Sequence, residues 1–179
     1  MLVENYKVNT VIFNTGKYNY LEKDLIKTLK EKNIDYYKDI TSLNLKDNEL
    51  YFLNTKIYDN ENDNSNVIYL NYNNFQFLFM GDAGIEKEKD ILETYDLNNI
   101  NFIKIGHHGS NTSSGKNFIK TINPKMCLIS VGKDNKFGHP KESVLKTLND
   151  YCQIYRTDIN GSIEIKIKND GYSIETCKP

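Results

Sequence analysis

The stretch 75–110 constrains the fold and the chemistry of this chain more than any other part of the sequence. A hydrophobic strand predicted to end at Met80 is followed by Asp82, and a helix then leads to a second strand followed by His107 and His108. In layered α/β folds, ligands collect at the ends of such strands. A carboxylate and imidazoles at neighbouring strand ends are ligands that suit Zn²⁺ or Mn²⁺. The stretch therefore predicts one half of a divalent-metal site.

Each of these residues also has a structural alternative. Asp82 can cap the helix predicted to begin near Ile85, because Asp is a favourable N-cap residue. Adjacent side chains on a strand point to opposite faces, so His107 and His108 can both be core residues only if the strand has already ended. The glycines on either side indicate that it has. We interpret the pair as metal or phosphate ligands, with a structural loop as the alternative.

The third histidine, His139, follows another strand and precedes Pro140. Because all three histidines of the chain lie at strand-to-helix exits, we expect one shared site. Ser110 is a candidate hydrogen-bond donor to a phosphate. Ser113 and Ser114 are expected to cap the helix that follows them.

Hydrophobic periodicity predicts alternating strands and helices along most of the chain. A polar segment at 59–64 is predicted to be a mobile loop without a hydrophobic anchor, and Asn73-Asn74 and 169–171 are predicted hairpin turns. Strands are expected at 8–13, 50–57, 66–72, 75–80, 102–105, 126–131, 153–157, 162–167 and 172–175, and helices at 20–32, 85–95, 116–122 and 142–150. This order predicts an α/β layered fold, and residues 1–179 are expected to form a single domain.

Composition excludes few functions. The chain has 23 basic and 24 acidic residues, so no global positive field attracts nucleic acid. The three cysteines, Cys127, Cys152 and Cys177, are widely spaced without a C-x-x-C pair, which argues against a disulfide framework or a zinc ribbon. A reducing compartment fits best. No apolar run approaches 18 residues, so we expect a cytoplasmic protein without a membrane segment.

Five motifs occur in an order that resembles a known family: FLFMGDAG, IKIGHHGSNTS, PKMCLISVG, FGHP and YRTDINGSI. They are similar to the metallo-β-lactamase-fold domain of ComEC-type competence proteins, over about residues 64–167. The resemblance implies a partial αββα sandwich, with mixed sheets and helices on the outer faces. It also implies a metal-dependent phosphodiesterase or nuclease whose substrate is a phosphodiester such as DNA, and whose parent protein is membrane-associated.

The resemblance assigns roles to particular residues. Asp82 matches the metal-bridging aspartate, and the pair His107-His108 matches the last metal-ligand histidine motif. His139 matches the histidine of the G-H-P motif, for which we expect a place near the substrate. Asp82 and His108 are the expected catalytic residues. The implied cofactor is a divalent metal, Zn²⁺ or Mn²⁺.

One part of the family pattern is missing. Complete members carry an H-x-H-x-D-H motif early in the domain, and no histidine precedes His107 in this chain. We therefore expect the C-terminal portion of such a domain, with an incomplete metal site, impaired activity, and a homodimer covering the incomplete sheet. Two alternatives remain open: a non-catalytic remnant that binds a ligand or partner, and a small-molecule phosphodiesterase or lactonase, since one fold hosts many chemistries.

Overall fold

The chain folds as an α/β protein in the computed structural model, which describes residues 2–169 and 171–177. Its helices are α1 Leu2–Asn5, α2 Tyr20–Glu31, α3 Ile85–Thr94, α4 Lys116–Ile122, α5 Glu142–Asn149 and α6 Thr157–Asn160. Its strands are β1 Thr10–Ile12, β2 Asp35–Tyr37, β3 Ser42–Leu45, β4 Asn48–Phe52, β5 Ile68–Tyr72, β6 Phe75–Phe79, β7 Phe102–Lys104, β8 Met126–Ile129, β9 Gln153–Arg156, β10 Ser162–Lys168 and β11 Gly171–Cys177.

Seven strands form one mixed sheet in the order β3-β4-β5-β6-β7-β8-β9. Strands β3 to β6 pair antiparallel, and β6 to β9 pair parallel. The turn between β5 and β6 is the predicted one, because Asn73 and Asn74 both adopt positive φ angles, 48° and 64°, as a tight hairpin requires. The parallel half places the ends of β6, β7 and β8 along one edge, where the candidate site lies.

One face of this sheet packs against helices α3, α4 and α5. Leu78, Ile103 and Cys127 lie side by side on β6, β7 and β8 and are fully buried. They belong to the same apolar cluster as Ile91 of α3 and Ile119 of α4. The helices are amphipathic, so burying their apolar faces here supplies the main hydrophobic stabilisation.

The opposite face carries an aromatic cluster. Phe77 of β6 stacks on Phe102 of β7 with ring centroids 4.7 Å apart, and Tyr172 of β11 packs edge-on to Phe102 at 5.0 Å. The hairpin β10-β11 thus covers part of this face. A separate apolar cluster, with Val3, Phe13 and Leu29 at its centre, joins α2 to the parallel pair β1-β2. This arrangement is compatible with an αββα sandwich.

Several sequence predictions of secondary structure need correction. The strand expected at 50–57 ends at Phe52, and the short strands β2 and β3 were not predicted. The turn expected at 169–171 falls partly on residue 170, which lies outside the described residues. Helix α4 begins and ends at the predicted residues.

The prediction of a mobile polar loop at 59–64 is wrong, although the segment does lack a hydrophobic anchor. Glu61–Asn64 form a 3₁₀ turn, and Asp63 and Asn64 are buried. The Asn64 side chain accepts from the backbone N–H of Tyr58 and donates to its carbonyl oxygen, both at 2.9 Å. Hydrogen bonds rather than apolar contacts anchor the segment, which a search for hydrophobic anchors cannot detect.

The cysteine spacing, read as arguing against a disulfide framework, gave no warning of one disulfide bond. Cys127 on β8 and Cys152, just before β9, are bonded to each other, with Cα atoms 5.9 Å apart. Their sequence separation of 25 residues gave no signal, because parallel pairing of β8 with β9 is what brings them together. Cys177 is exposed and outside this bond.

Among the described residues, no helix has both the length and the apolar character needed to cross a bilayer.

Candidate metal half-site

Asp82 lies just beyond β6, in a turn that only glycine allows at the preceding position. Gly81 has φ +59°, and a Cβ atom there would lie 2.8 Å from the Cβ of Ser65. The Ser65 hydroxyl oxygen in turn accepts a hydrogen bond from the Asp82 backbone N–H at 3.1 Å. The helix α3 starts at an N-cap, Gly84, that has no side-chain cap. Asp82 is therefore not a helix cap, and its carboxylate is left half-exposed.

The two adjacent histidines follow β7 in a left-handed backbone conformation. His107 and His108 have φ angles of 47° and 55° within the 3₁₀ segment Gly106–Gly109. Such angles are uncommon for residues other than glycine and persist only where the surroundings enforce them. The His107 backbone N–H donates to the Gly81 carbonyl at 3.1 Å, which joins this loop to the Asp82 turn.

The flanking glycines leave no room for side chains. A Cβ atom on Gly106 would lie 2.7 Å from the carbonyl oxygen of Ala83. Gly109 has φ +81°, and a Cβ atom there would lie 2.5 Å from the Cβ of Pro140. The Gly109 carbonyl accepts from the Lys141 backbone N–H at 2.9 Å. Three strand-end loops are therefore in direct contact.

Asp82 and His108 face each other across this junction. The distance from His108 Nε2 to Asp82 Oδ1 is 3.7 Å, and the two side chains are 47% and 44% exposed. His108 Nδ1 lies 2.6 Å from the carbonyl oxygen of Ser130. Because a carbonyl oxygen only accepts, Nδ1 carries the hydrogen, and a neutral His108 presents the Nε2 lone pair towards Asp82. A histidine that ligates a metal is usually oriented by such a second hydrogen bond.

His107 points to different partners. Its Nδ1 lies 3.2 Å from the Thr112 hydroxyl, and its ring packs edge-on against His139 with centroids 5.9 Å apart. The structure thus brings Asp82 and His108 together and groups His107 with His139. Within 2–169 and 171–177, no three His, Cys, Asp or Glu side chains are close enough to hold one metal ion. The Asp82–His108 pair has the donor atoms for a divalent metal but supplies only two protein ligands.

His139 borders a pocket of about 510 Å³ beside this pair. The pocket lining includes His108, Val131, Asn135, Phe137, His139 and Thr157. Among the described atoms, no group hydrogen-bonds the buried Nδ1 of His139. Burial lowers the pKa of the His139 imidazole, and the nearby Lys141, His107 and His108 lower it further. His139 is therefore held towards its neutral form, and its Nδ1 is buried without a hydrogen-bond partner among the described atoms.

The serines that follow the histidines are engaged within their own loop. The hydroxyl of Ser110, a buried residue, lies 3.0 Å from the Thr112 hydroxyl and accepts from the Thr112 backbone N–H at 3.3 Å. Its role towards a phosphate stays a prediction. The capping role expected of Ser113 and Ser114 is wrong: Gly115 is the N-cap of α4, and the Ser113 hydroxyl donates to the carbonyl of Gly106 instead.

Three buried charged residues that the sequence predictions did not include hold the loops of the site: Asp63, Lys87 and Glu88. Asp63 Oδ1 accepts from the Gly84 backbone N–H at 2.6 Å. Lys87 Nζ donates to the carbonyl of Ser65 at 2.9 Å. Burial lowers the pKa of Lys87 to about 8, partly opposed by the charge of Asp63. These bonds fix the two segments that surround the Asp82 turn.

Glu88 performs the same task for the histidine loop. Its Oε1 and Oε2 accept from the backbone N–H groups of Ser114 and Gly115 at 2.5 and 2.8 Å. Burial raises the pKa of Glu88 to about 7, against the effect of these two bonds. A sequence signal did exist, because Lys87 and Glu88 precede the buried Ile91 by four and three residues and so share its helix face.

The fold is that of an α/β protein in which side chains of the kinds that bind metals follow the strand ends. The proteins that this chain resembles in sequence include competence and recombination proteins. It is 28% identical to "ComE operon protein 3" of Bacillus subtilis over 175 residues, which is 94% of this chain and 23% of that protein. It is 28% identical to "Recombination protein 2" of Haemophilus influenzae over 119 residues, 66% of this chain and 15% of that protein.

A third relative is "Competence protein ComA" of Neisseria gonorrhoeae, 28% identical over 103 residues, 56% of this chain and 15% of that protein. The chain thus spans less than a quarter of the length of these curated relatives. No protein-family model matches the sequence.

Proposed function

We propose that this chain carries half of the divalent-metal site of a phosphodiester hydrolase that acts on DNA in a competence-related process. The observation that carries the proposal is the geometry of His108, whose Nδ1 is fixed by the Ser130 carbonyl while Nε2 faces Asp82 at 3.7 Å. Two relatives are named as a recombination protein and a competence protein, which supports the competence-related setting and, through it, our proposal of DNA as the substrate.

Asp82 and His108 would hold the metal, Zn²⁺ or Mn²⁺. A metal in such a site polarises phosphoryl oxygens and lowers the pKa of water. The contribution of this chain is orientation: Ser130 fixes the His108 tautomer, and Ser65 fixes the Asp82 turn. His139, held towards its neutral form beside the pocket, can accept a hydrogen bond from a substrate or water.

Two protein ligands are fewer than the three that catalytic zinc sites use. The remaining ligands would come from water or from a second copy of this chain, so only slow hydrolysis is expected. The same ligand count favours a second candidate, in which the chain binds a ligand or partner and catalyses no reaction.

Hydrolysis of bis(p-nitrophenyl) phosphate with added Mn²⁺ distinguishes the two. The proposal expects a slow, Mn²⁺-dependent rate that falls at least tenfold in Asp82→Asn and in His108→Ala, as for loss of a metal ligand or its support. The matched control is Asp47→Asn, an exposed carboxylate on the β3-β4 turn, which should retain the rate. Metal binding without hydrolysis above the Mn²⁺ blank would favour the binding domain.

A further inference from the structure

Phe137 presents an aromatic ring to solvent at the edge of the pocket beside His108. Phe137 is 63% exposed, and it lines the same pocket as His108 and His139. Single exposed aromatic residues are common on protein surfaces, but Phe137 differs in lining a pocket together with two histidines. The Asp82–His108 pair does not use this ring.

The loop that carries Phe137 is fixed by hydrogen bonds. Asn135 Oδ1 accepts from the His139 backbone N–H at 3.0 Å, and Asn135 Nδ2 donates to the His139 carbonyl at 2.7 Å and to the Gly132 carbonyl at 3.0 Å. Lys141 Nζ donates to the carbonyl of Phe137 at 2.8 Å. A loop backbone held in this way loses little conformational freedom when its aromatic side chain binds a flat ligand.

The ring geometry and the local charge both fit a nucleotide. The rings of Phe137 and His139 are nearly parallel, at 18°, with centroids 5.9 Å apart. The ammonium of Lys136 lies 5.0 Å from the Phe137 ring centroid, and Lys133 is exposed on the same loop. An exposed cation–π contact is weak, so a base can replace Lys136 at the ring while the ammonium moves to a phosphate.

We propose that Phe137 stacks on a nucleobase of single-stranded DNA and thereby positions the adjoining phosphodiester at the Asp82–His108 pair. This inference rests on the proposed function for its substrate. A phenyl ring stacks on any base, so the subsite is tolerant of sequence. It requires an unpaired base, because a base inside a duplex has both faces covered by its neighbours.

The test is the binding of a fluorescein-labelled octathymidylate in EDTA, measured by anisotropy, beside an abasic oligonucleotide of the same length. Base stacking on one aromatic ring corresponds to roughly a 5- to 150-fold change in affinity. Phe137→Ala should weaken octathymidylate binding within this range and leave abasic binding unchanged. Phe137→Tyr should restore the difference, and Tyr20→Ala, which removes an exposed ring on α2, should have no effect.

Equal loss for both oligonucleotides in Phe137→Ala, or no loss for either, would overturn the proposal, as would failure of the wild-type chain to prefer the base-containing strand. Because EDTA removes divalent metal, this result is independent of the metal half-site. Wild-type stacking with no metal-dependent hydrolysis would support the base subsite while rejecting the hydrolase. An unchanged thermal midpoint for Phe137→Ala shows that the variant is folded.

Discussion

The carboxylate of Glu88 lies 2.5 Å from the backbone nitrogen of Ser114, at the end of the loop that carries both adjacent histidines. Glu88 is only 1% exposed, and it belongs to α3, the helix that follows the Asp82 turn. Helix α3 therefore connects the Asp82 turn to the loop that carries His108 through the buried Glu88 carboxylate. The protonation state of that acid then affects the stability of the site.

Stability should fall with rising pH because of Glu88. Burial raises its native pKa from 4.5 to about 7, so the folded state binds the proton more tightly than the unfolded state. The resulting stabilisation is complete below pH 4.5 and is lost as pH rises through about 7, with a magnitude of the order of 3 kcal/mol. Glu88→Gln, which cannot ionise, should lack this fall.

The measurement is urea unfolding of wild type and Glu88→Gln at pH 5, 6, 7 and 8, compared as a difference. The difference cancels the other titrating groups, including His139. Parallel pH profiles for the two proteins would show that Glu88 does not titrate in this range.

Gly109→Ala should destabilise the chain and disturb His108. The new Cβ atom would lie 2.5 Å from the Cβ of Pro140, and φ is +81°, so steric overlap and backbone strain together cost about 3 kcal/mol. Gly132→Ala is the matched control, because no atom lies within 4 Å of its added Cβ. Guanidinium unfolding should separate the two variants; equal stabilities would show that the Gly109 loop relaxes freely.

Asp63→Ala should unfold more easily, because the Gly84 N–H and the Asn60 side-chain amide would lose their acceptor. A buried donor left unsatisfied costs about 1–3 kcal/mol. Glu61→Ala, an exposed acid in the same 3₁₀ turn, should change stability by less than about 0.5 kcal/mol. Thermal unfolding monitored by circular dichroism compares them. Similar midpoints for both variants would mean that Asp63 does not anchor this segment.

Reduction of the Cys127–Cys152 bond should lower the free energy of unfolding by about 3.5 kcal/mol, the value expected for a cross-link across 25 residues. Guanidinium unfolding with and without a phosphine reductant measures this change. Peptide mapping of protein purified without reductant should recover the two cysteines in one linked fragment. Recovery of both as separate thiol peptides would contradict the pairing.

Local signals in the sequence predicted the elements that depend on local structure. Helix α4 and the Asn73-Asn74 turn follow from periodicity and from residues that tolerate positive φ. Strand β2 escaped prediction because it is short and is defined by parallel pairing with the distant strand β1. Strand β3 is also short, and the tight turn that joins it to its neighbour β4 was not predicted. The buried Asp63 escaped for a related reason, since its hydrogen-bond partner Gly84 is 21 residues away.

For the site as well, local sequence signals predicted part of the arrangement and tertiary contacts decided the rest. The strand-end rule placed Asp82 and the histidine pair at one edge, and the structure has Asp82 and His108 there, 3.7 Å apart. The sequence could not say which histidine faces the aspartate. That depends on the left-handed backbone at both positions, which directs His107 to Thr112 and His108 to Ser130.

We propose that Asp82 and His108 hold a divalent metal, and a titration with Mn²⁺ measures this binding itself. Free Mn²⁺ is followed by electron paramagnetic resonance for wild type, Asp82→Asn, His108→Ala and the Asp47→Asn control. We predict one site per chain in wild type and in Asp47→Asn, with affinity at least tenfold weaker in the other two variants. Equal Mn²⁺ binding by wild type and His108→Ala would contradict the claim.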